Sequence, residues 1–292
     1  MIAACYKKFF FQGWTLILHR EACPDEICKI ISSKAVEYPG QNSLKLVQAT
    51  DKSRVFEGFF KFRGKSTKAY VKQFLRYLSC RYVKYFVLTS RAKKAFIASL
   101  MLEKNGVMTP DTLALMEKKH GPFCTDSILI TSDVPDSMQL GEKLNNLSSD
   151  YFTNTFKKKR MMIKEFGKVV GEMHKKGIMH GDLRLRNVLV QEKAGEFLFW
   201  FIDNERTKRI NRFSSRHARK NLVQISVRVE IGNTDRMRFL QAYAHQLGMS
   251  RKETKAMARK VLNRIWWRKK KIELKKVLIS SKKNVTFHKK AQ

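Results

Sequence analysis

MHGDLRLRNVLV, residues 179–190, places three polar side chains, His180, Asp182 and Asn187, directly before an apolar run. The arginines among them suit a chain with 60 Lys and Arg against 25 Asp and Glu, a formal net charge of +35. The aspartate and the asparagine need a separate reason, because neither adds positive charge. Their D-x-x-x-x-N spacing is typical of a loop that transfers phosphoryl groups, and it predicts a site for metal and phosphate.

The segments on either side of this loop favour the same interpretation. Residues 156–176 carry apolar side chains on one helical face, and Gly177 provides a stop for that helix. The sequence VLVQEKAGEFLFWFI after Asn187 reads as strand, turn and strand, and Asp203 follows at its exit. A hairpin there would bring Asn187 and Asp203 together at its open end.

Phosphoryl transfer requires groups that position the substrates and neutralise charge, and five residues match those roles. Asp182 is the candidate base that orients and deprotonates the attacking hydroxyl, and Arg184 is a candidate cation facing the transferred phosphate. Asn187 and Asp203 are the candidate oxygen ligands of Mg²⁺. Lys72, on the strand AYVKQF, is the candidate lysine for the phosphates of ATP. We therefore expect three oxygen-bearing side chains to converge on one divalent cation in a cleft between two lobes.

Each of these residues also has a simpler interpretation. Asp182 and Asn187 are residue types that favour turns in any loop, and His180 fits an ordinary packed histidine. Lys72 could point to solvent, as most of the 60 lysines and arginines must. The H-x-D-x-x-x-x-N pattern is weak by itself, and it is the helix before it and the hairpin after it that favour catalysis.

The first 130 residues are rich in strand patterns, and the chain after residue 215 is rich in helical ones. Alternation and the turn RGKS predict a hairpin over 55–74, and helical spacing over 91–104 ends at Gly106. TLALMEKKHG and DSILITSDVP read as two further strands. In the second part, DRMRFLQAYAHQLG is helical, and SRKE at 250–253 is a capping box that starts another helix. This division predicts two lobes.

The composition limits the class of protein. A chain of 292 residues with 43% hydrophobic side chains is long and apolar enough to fold around a core. Its positive charge predicts an anionic partner, and the composition alone does not distinguish nucleic acid, an anionic membrane and a phosphorylated ligand.

Five cysteines without a C-x-x-C pair argue against a disulfide framework or a zinc ribbon. With no long apolar run and no secretory leader pattern, we expect a cytoplasmic protein.

The stretch from about residue 44 to 265 resembles the lipopolysaccharide core kinases, the Kdo/heptose kinase family, which have a protein-kinase-like fold. The resemblance is carried by AYVKQF, SRAKKAFIASLMLEKNGVMTPDTLALME, ITSDVP, HGDLRLRNVLV, FIDNER and DRMRFLQAY. It implies a two-lobed α+β fold with a β-rich N-lobe and a helical C-lobe. It also implies ATP- and Mg²⁺-dependent phosphorylation of a Kdo or heptose sugar of the lipopolysaccharide inner core. Such an enzyme would work on the cytoplasmic face of the inner membrane of a Gram-negative bacterium.

Several positions depart from the pattern of protein kinases. The first strand turn is ATDKSR instead of a G-x-G-x-x-G loop, and Asn-Glu follows Asp203 in place of Phe-Gly. Ala95 stands where a helix glutamate is expected to pair with Lys72, which leaves the partner of that lysine open. The chain has no A-P-E segment, so a peptide-docking platform is not expected, and a small or glycolipid acceptor is favoured.

The resemblance and the charge together predict the organisation of the chain and its partners. We expect an N-terminal extension over 1–43, an N-lobe over 44–135, a C-lobe over 136–267 and a basic tail over 268–292. The expected partners are lipopolysaccharide core or lipid A glycolipid and an anionic membrane surface. Trp266 and Trp267 beside lysines suit a membrane interface, or alternatively they pack on the body of the protein.

Two other functions remain open from the sequence. A catalytically weak or inactive kinase-like protein would use its charge to bind a membrane or a glycolipid, and Ala95 favours this interpretation. A nucleic-acid-associated kinase is permitted by the charge, but the chain has no aromatic-glycine stacking motif or zinc finger. Nucleic acid is therefore not the expected partner.

Overall fold

The computed structural model describes residues 5–33, 36, 44–75, 89–121, 123–149, 153–211, 214–226 and 232–288. The chain divides into two compact units, each formed by two segments. Unit 1 comprises Met1–Gln139 and Asn187–Lys208, and unit 2 comprises Leu140–Arg186 and Arg209–Gln292. Each unit is described by itself below.

Unit 1 is built on an antiparallel sheet with the strand order β1-β2-β6-β7-β5-β4-β3. The strands are β1 Tyr6–Phe11, β2 Trp14–His19, β3 Lys45–Thr50, β4 Ser53–Phe62, β5 Lys65–Phe74, β6 Thr112–His120 and β7 Phe123–Ser132. The predicted hairpin over 55–74 is confirmed as β4 and β5, which pair from Ser53 opposite Phe74 to Phe62 opposite Lys65. The turn needs two residues of positive φ, and Arg63 and Gly64 supply them.

Helices cover both faces of this sheet, because successive strand residues point to opposite sides. On one face, α1 (Pro24–Ser32) buries Ile27 and Ile30 against strand residues such as Phe56 and Val71. On the other face, α2 (Arg91–Lys104) buries Ala92, Ala95 and Phe96 against Tyr6, Leu115 and Leu129. Lys72 and Phe74 alternate with Val71 along β5, so Lys72 belongs to the face that α2 covers.

A second, three-stranded sheet completes unit 1 and has the order β11-β10-β8. Its strands are β8 Ser137–Gln139, β10 Val188–Lys193 and β11 Glu196–Phe201. The strand-turn-strand prediction after Asn187 is confirmed, since β10 and β11 pair from Val188 opposite Phe201 to Lys193 opposite Glu196. The hairpin begins directly after Asn187, and Asp203 lies two residues beyond its end.

Unit 2 is helical. Its helices are α3 Leu140–Ser149, α4 Thr153–Lys175, α5 Ser215–Ser226, α6 Asn233–Gln246 and α7 Arg251–His288. The described part of the chain also has two short strands, β9 Ile178–Met179 and β12 Lys208–Arg209, and two short 3-10 helices, Leu185–Asn187 and Asn204–Arg206. The capping box at the start of α7 is confirmed, because Ser250 Oγ accepts from Glu253 N–H and Glu253 Oε2 accepts from Ser250 N–H.

The predicted α+β class, with a β-rich N-terminal part and a helical C-terminal part, is confirmed. The bounds of the compact units differ from those of the predicted lobes. The expected extension 1–43 contributes β1 and β2 to the main sheet, where β2 pairs with β6. The later segment Asn187–Lys208 also belongs to unit 1, because its hairpin pairs with β8. Strand pairing between distant segments is not visible in local sequence patterns.

The expected tail begins inside a helix that starts at Arg251, so its first residues continue regular structure. In the part of the chain that the structure describes, no helix has the length and apolar character needed to cross a bilayer.

Candidate active site

Asp182 lies in the loop that follows β9, and alternate residues of this loop are buried and fix its position. Leu183 and Leu185 are 0% and 2% exposed, which anchors the loop on both sides of Arg184. The guanidinium of Arg184 pairs with Asp182, with 2.8 Å between Nε and Oδ1. The backbone closes the same turn, since Arg184 N–H donates to the carbonyl of Asp182 at 2.9 Å. Two of the five predicted residues, Asp182 and Arg184, are therefore in direct contact within unit 2.

Gln224, on α5, holds the backbone on each side of Asp182. Its Nε2 donates to the carbonyl of Gly181 at 3.0 Å, and its Oε1 accepts from Leu183 N–H at 3.0 Å. Gly181 has a φ of +78°, a conformation that glycine adopts without strain. One planar amide thus satisfies a donor and an acceptor that flank the candidate base.

A buried hydrogen-bonded chain continues from Gln224 into the helical core. Asn221 Nδ2 donates to Gln224 Oε1 at 3.0 Å, and Asn221 Oδ1 lies 3.0 Å from His174 Nε2. His174 Nδ1 lies 2.9 Å from the hydroxyl of Tyr243. Burial lowers the pKa of His174 to about 4, so the ring is neutral at physiological pH. A neutral ring can donate from Nε2 to Asn221 and accept from the hydroxyl of Tyr243, so both ring nitrogens have a hydrogen-bond partner.

In unit 1, the open end of the β10–β11 hairpin brings Asn187 and Asp203 close in the backbone. Ile202 N–H donates to the carbonyl of Asn187 at 3.1 Å. Asn187 is 3% exposed, whereas the Asp203 side chain is 43% exposed. Asp203 has a φ of +61°, in the left-handed region that aspartate adopts more readily than most residues. The conformation turns the chain sharply at the candidate metal ligand.

The residues after Asp203 anchor that turn, and sequence reasoning missed them. The buried amide of Asn204 donates to Thr109 Oγ1 at 2.8 Å and to the carbonyl of Phe201 at 3.2 Å. Glu205 accepts from Arg91 Nε on α2 at 2.7 Å. The available signal was two further polar residues directly after Asp203, close to the end of an apolar strand.

Lys72 pairs directly with Asp203, which answers the question that Ala95 left open. Lys72 Nζ donates to Asp203 Oδ1, and this contact joins the main sheet to the hairpin exit within unit 1. Ala95 is buried against the sheet and offers no charge. On the same helix, Arg91 donates to the carbonyl of Lys52 in the β3–β4 turn, in addition to its bond to Glu205.

The donor set fits a divalent cation bound together with phosphate. No group of three His, Cys, Asp or Glu side chains that suits a metal occurs among the described residues. Mg²⁺ sites in phosphoryl-transfer enzymes need fewer protein ligands, because substrate phosphates and water fill the remaining positions. One exposed carboxylate, Asp203, one amide residue, Asn187, and one ammonium group, Lys72, are the groups that such a site requires.

An apolar cavity of about 250 Å³ lies elsewhere in unit 2, between α5, α6 and α7. Its walls include Leu222, Phe239, Leu240 and Val261. None of the five predicted site residues lines it, and none of the described residues in its wall is a carboxylate. The cavity is therefore separate from the groups that suit phosphoryl transfer.

Comparisons with known proteins identify a family and a fold. Residues 47–243 match the family described as "Lipopolysaccharide kinase (Kdo/WaaP) family". The fold is similar to a solved structure titled "WaaP in complex with acyl carrier protein", with a TM-score of 0.59 and 18% sequence identity. That similarity covers 88% of this chain and 98% of the other, and at this identity it shows the fold. A search of curated proteins finds no match.

Proposed function

Since this chain belongs to the lipopolysaccharide kinase (Kdo/WaaP) family, we propose that it transfers the γ-phosphoryl group of ATP to a hydroxyl of a Kdo or heptose sugar in the lipopolysaccharide inner core. The observation that carries the proposal is the ion pair of Lys72 with Asp203 beside the backbone of Asn187. This grouping combines a cation for phosphate with oxygen ligands for a metal. Such a combination suits a kinase.

Each of the five residues is assigned to the proposed reaction. Asp182 orients the acceptor hydroxyl and takes its proton as the new phosphorus–oxygen bond forms. Arg184 holds the Asp182 carboxylate by its ion pair and offsets charge on the transferred group. Lys72 binds the α- and β-phosphates of ATP, and Asn187 and Asp203 hold Mg²⁺. When bound, Mg²⁺ neutralises the charge that develops on the phosphate oxygens.

Asp182→Asn tests the role of the base. We expect turnover to fall by about 10²–10⁴, because the amide cannot accept the hydroxyl proton, while the folded structure and ATP binding persist. The assay incubates the full chain with labelled ATP, Mg²⁺ and chemically dephosphorylated lipopolysaccharide, and mass spectrometry measures the gain of one phosphate. Asp25→Asn, at an exposed position on α1, is the matched control and should leave the rate unchanged.

Two results would contradict the proposal. Wild-type rates from Asp182→Asn would remove Asp182 from the mechanism. Absence of transfer by the wild-type chain, together with no thermal shift on adding ATP and Mg²⁺, would favour a kinase-like protein that does not bind nucleotide.

We also propose the partners and the location of the reaction. The acceptor is a glycolipid, which places the enzyme at the cytoplasmic face of the inner membrane, beside an anionic surface. The similar solved structure contains an acyl carrier protein, which makes an acyl carrier protein a candidate partner for this chain as well. Co-purification of the full chain with an acyl carrier protein tests that partner separately from catalysis.

A further inference from the structure

The outward side of α7 carries large apolar side chains that contact solvent. Leu262, Trp266, Lys270 and Leu274 follow one another at four-residue steps, so they form one stripe along the helix, with Trp267 at its edge. The exposed fractions are 49% for Leu262, 54% for Trp266, 64% for Trp267 and 56% for Leu274. We call these five residues the outer face of α7.

The opposite side of the same helix packs against the protein. Met257, Val261 and Ile265 are buried, and Val261 and Ile265 share the apolar cavity wall with residues of α5 and α6. Leu262, which is 49% exposed, borders the two sides, because it also lines this cavity. This packing fixes the rotation of the helix and turns both tryptophans outward. The alternative in which Trp266 and Trp267 pack on the body of the protein is therefore wrong.

Positive charge surrounds the outer face. Residues 251–276 contain twelve lysines and arginines and two glutamates. Lys270 Nζ lies 5.0 Å from the ring centre of Trp266 and 5.9 Å from that of Trp267, so the cation sits above both indoles. Arg259 and Lys271 are exposed on the same helix. A solvent-exposed stripe that combines apolar side chains with Lys270, and has further cations near it, complements a surface that is apolar inside and anionic at its boundary.

We propose that the outer face of α7 docks the protein onto an anionic phospholipid surface. Trp266 and Trp267 insert at the level of the headgroups, Leu274 and the exposed part of Leu262 reach the acyl boundary, and Lys270 and the nearby cations contact lipid phosphates. This inference rests on the proposed function, because that function places the glycolipid acceptor in such a surface. It deepens the proposed function by naming the face of the protein that reaches the surface. Nucleic acid would stack on the tryptophans but would leave both leucines in water, so lipid fits the whole stripe better.

Flotation with vesicles tests the proposal on the purified full chain. The vesicles contain phosphatidylglycerol with phosphatidylethanolamine in one arm and phosphatidylcholine alone in the other. We expect binding to the anionic vesicles only, and the double variant Trp266→Ser, Trp267→Ser should lower that affinity at least about tenfold, because it removes the apolar area that enters the interface. Phe10→Ser with Phe59→Ser is the matched control, since these side chains are 74% and 70% exposed in unit 1.

Three results would overturn the inference. The tryptophan variant could bind anionic vesicles as the wild type does, the control variant could lose binding equally, or the wild type could fail to bind vesicles. Binding of single-stranded RNA that depends more strongly on the two tryptophans than vesicle binding does would assign the face to nucleic acid instead.

The same variants separate this inference from the proposed function. Phosphorylation of a soluble, delipidated core oligosaccharide should be unchanged in the tryptophan variant, because that acceptor needs no membrane. Asp182→Asn should bind vesicles as the wild type does while losing transfer. Failure of docking and failure of catalysis therefore give different results.

Discussion

At the scale of single residues, the candidate base is positioned by groups far away in the sequence. Asp182 contacts Arg184 within its own loop, but its flanking peptide groups are bonded to Gln224, which lies about forty positions later. Gln224 therefore restricts the position of the Asp182 carboxylate through the backbone, without contacting the carboxylate itself. Precise placement of a reacting group contributes to rate because a small displacement weakens the alignment with the substrate.

Gln224→Leu should slow the reaction without weakening nucleotide binding. The leucine keeps the size of the side chain but removes both bonds to the loop, so we expect kcat to fall about tenfold to a hundredfold with an unchanged KM for ATP. Gln191→Leu is a control for the change from glutamine to leucine, because it removes a single exposed bond, from Gln191 to the carbonyl of Pro135 in unit 1. An equal loss of kcat in both variants would indicate a general structural effect and would contradict positioning by Gln224.

The neutral state of His174 predicts how stability depends on pH. Its pKa is lowered from 6.5 in the unfolded chain to about 4 in the fold, so the unfolded state binds more protons between these values. The contribution of His174 to the free energy of unfolding is fully present above pH 6.5. It decreases as the pH falls to about 4, by up to about 3 kcal/mol. Urea unfolding over this range should show a smaller pH dependence for His174→Gln, and no such reduction for the exposed His245→Gln.

At the scale of elements, hairpins and caps follow rules that act over a few residues. The β4–β5 hairpin, the stop of α2 at Gly106, the capping box at Ser250 and the β10–β11 hairpin were all visible as local patterns. Packing between elements is different, because it depends on shapes that meet only in the folded chain. The seam between α4 and α6 shows this, since Gly167 and Gly171 lie against the backbone of α6.

Gly167→Ala should destabilise the α4–α6 seam. A Cβ at this position would lie 2.6 Å from the carbonyl oxygen of Phe239 and 3.3 Å from the nitrogen of Tyr243, and backbone atoms cannot easily move aside. We expect a loss of about 1–3 kcal/mol in the free energy of unfolding, measured with urea. Gly141→Ala is the control: its Cβ meets Leu185 Cβ at 3.5 Å, an ordinary contact, so it should be neutral or stabilising. Equal stability of the two variants would show that the seam relaxes.

At the scale of the whole molecule, the functional groups are divided between two compact units. Lys72, Asn187 and Asp203 belong to unit 1, and Asp182 and Arg184 belong to unit 2. The boundary between the units falls between Arg186 and Asn187, inside the motif that suggested phosphoryl transfer. The net charge of +35 is also a property of the whole chain, and it suits a protein that works beside phosphates and anionic lipid.

The sequence by itself determined the class of the fold, the main hairpins and helices, the five candidate residues and the family resemblance. These features depend on local spacing, since periodicity, turns and motif intervals are written within short segments. Only the tertiary structure decided the partner of Lys72, the bracing of the Asp182 loop by Gln224, the membership of β1 and β2 in the main sheet and the outward direction of the tryptophans. Each of these depends on contacts between segments that are distant in the chain, and burial, not local pattern, selects them.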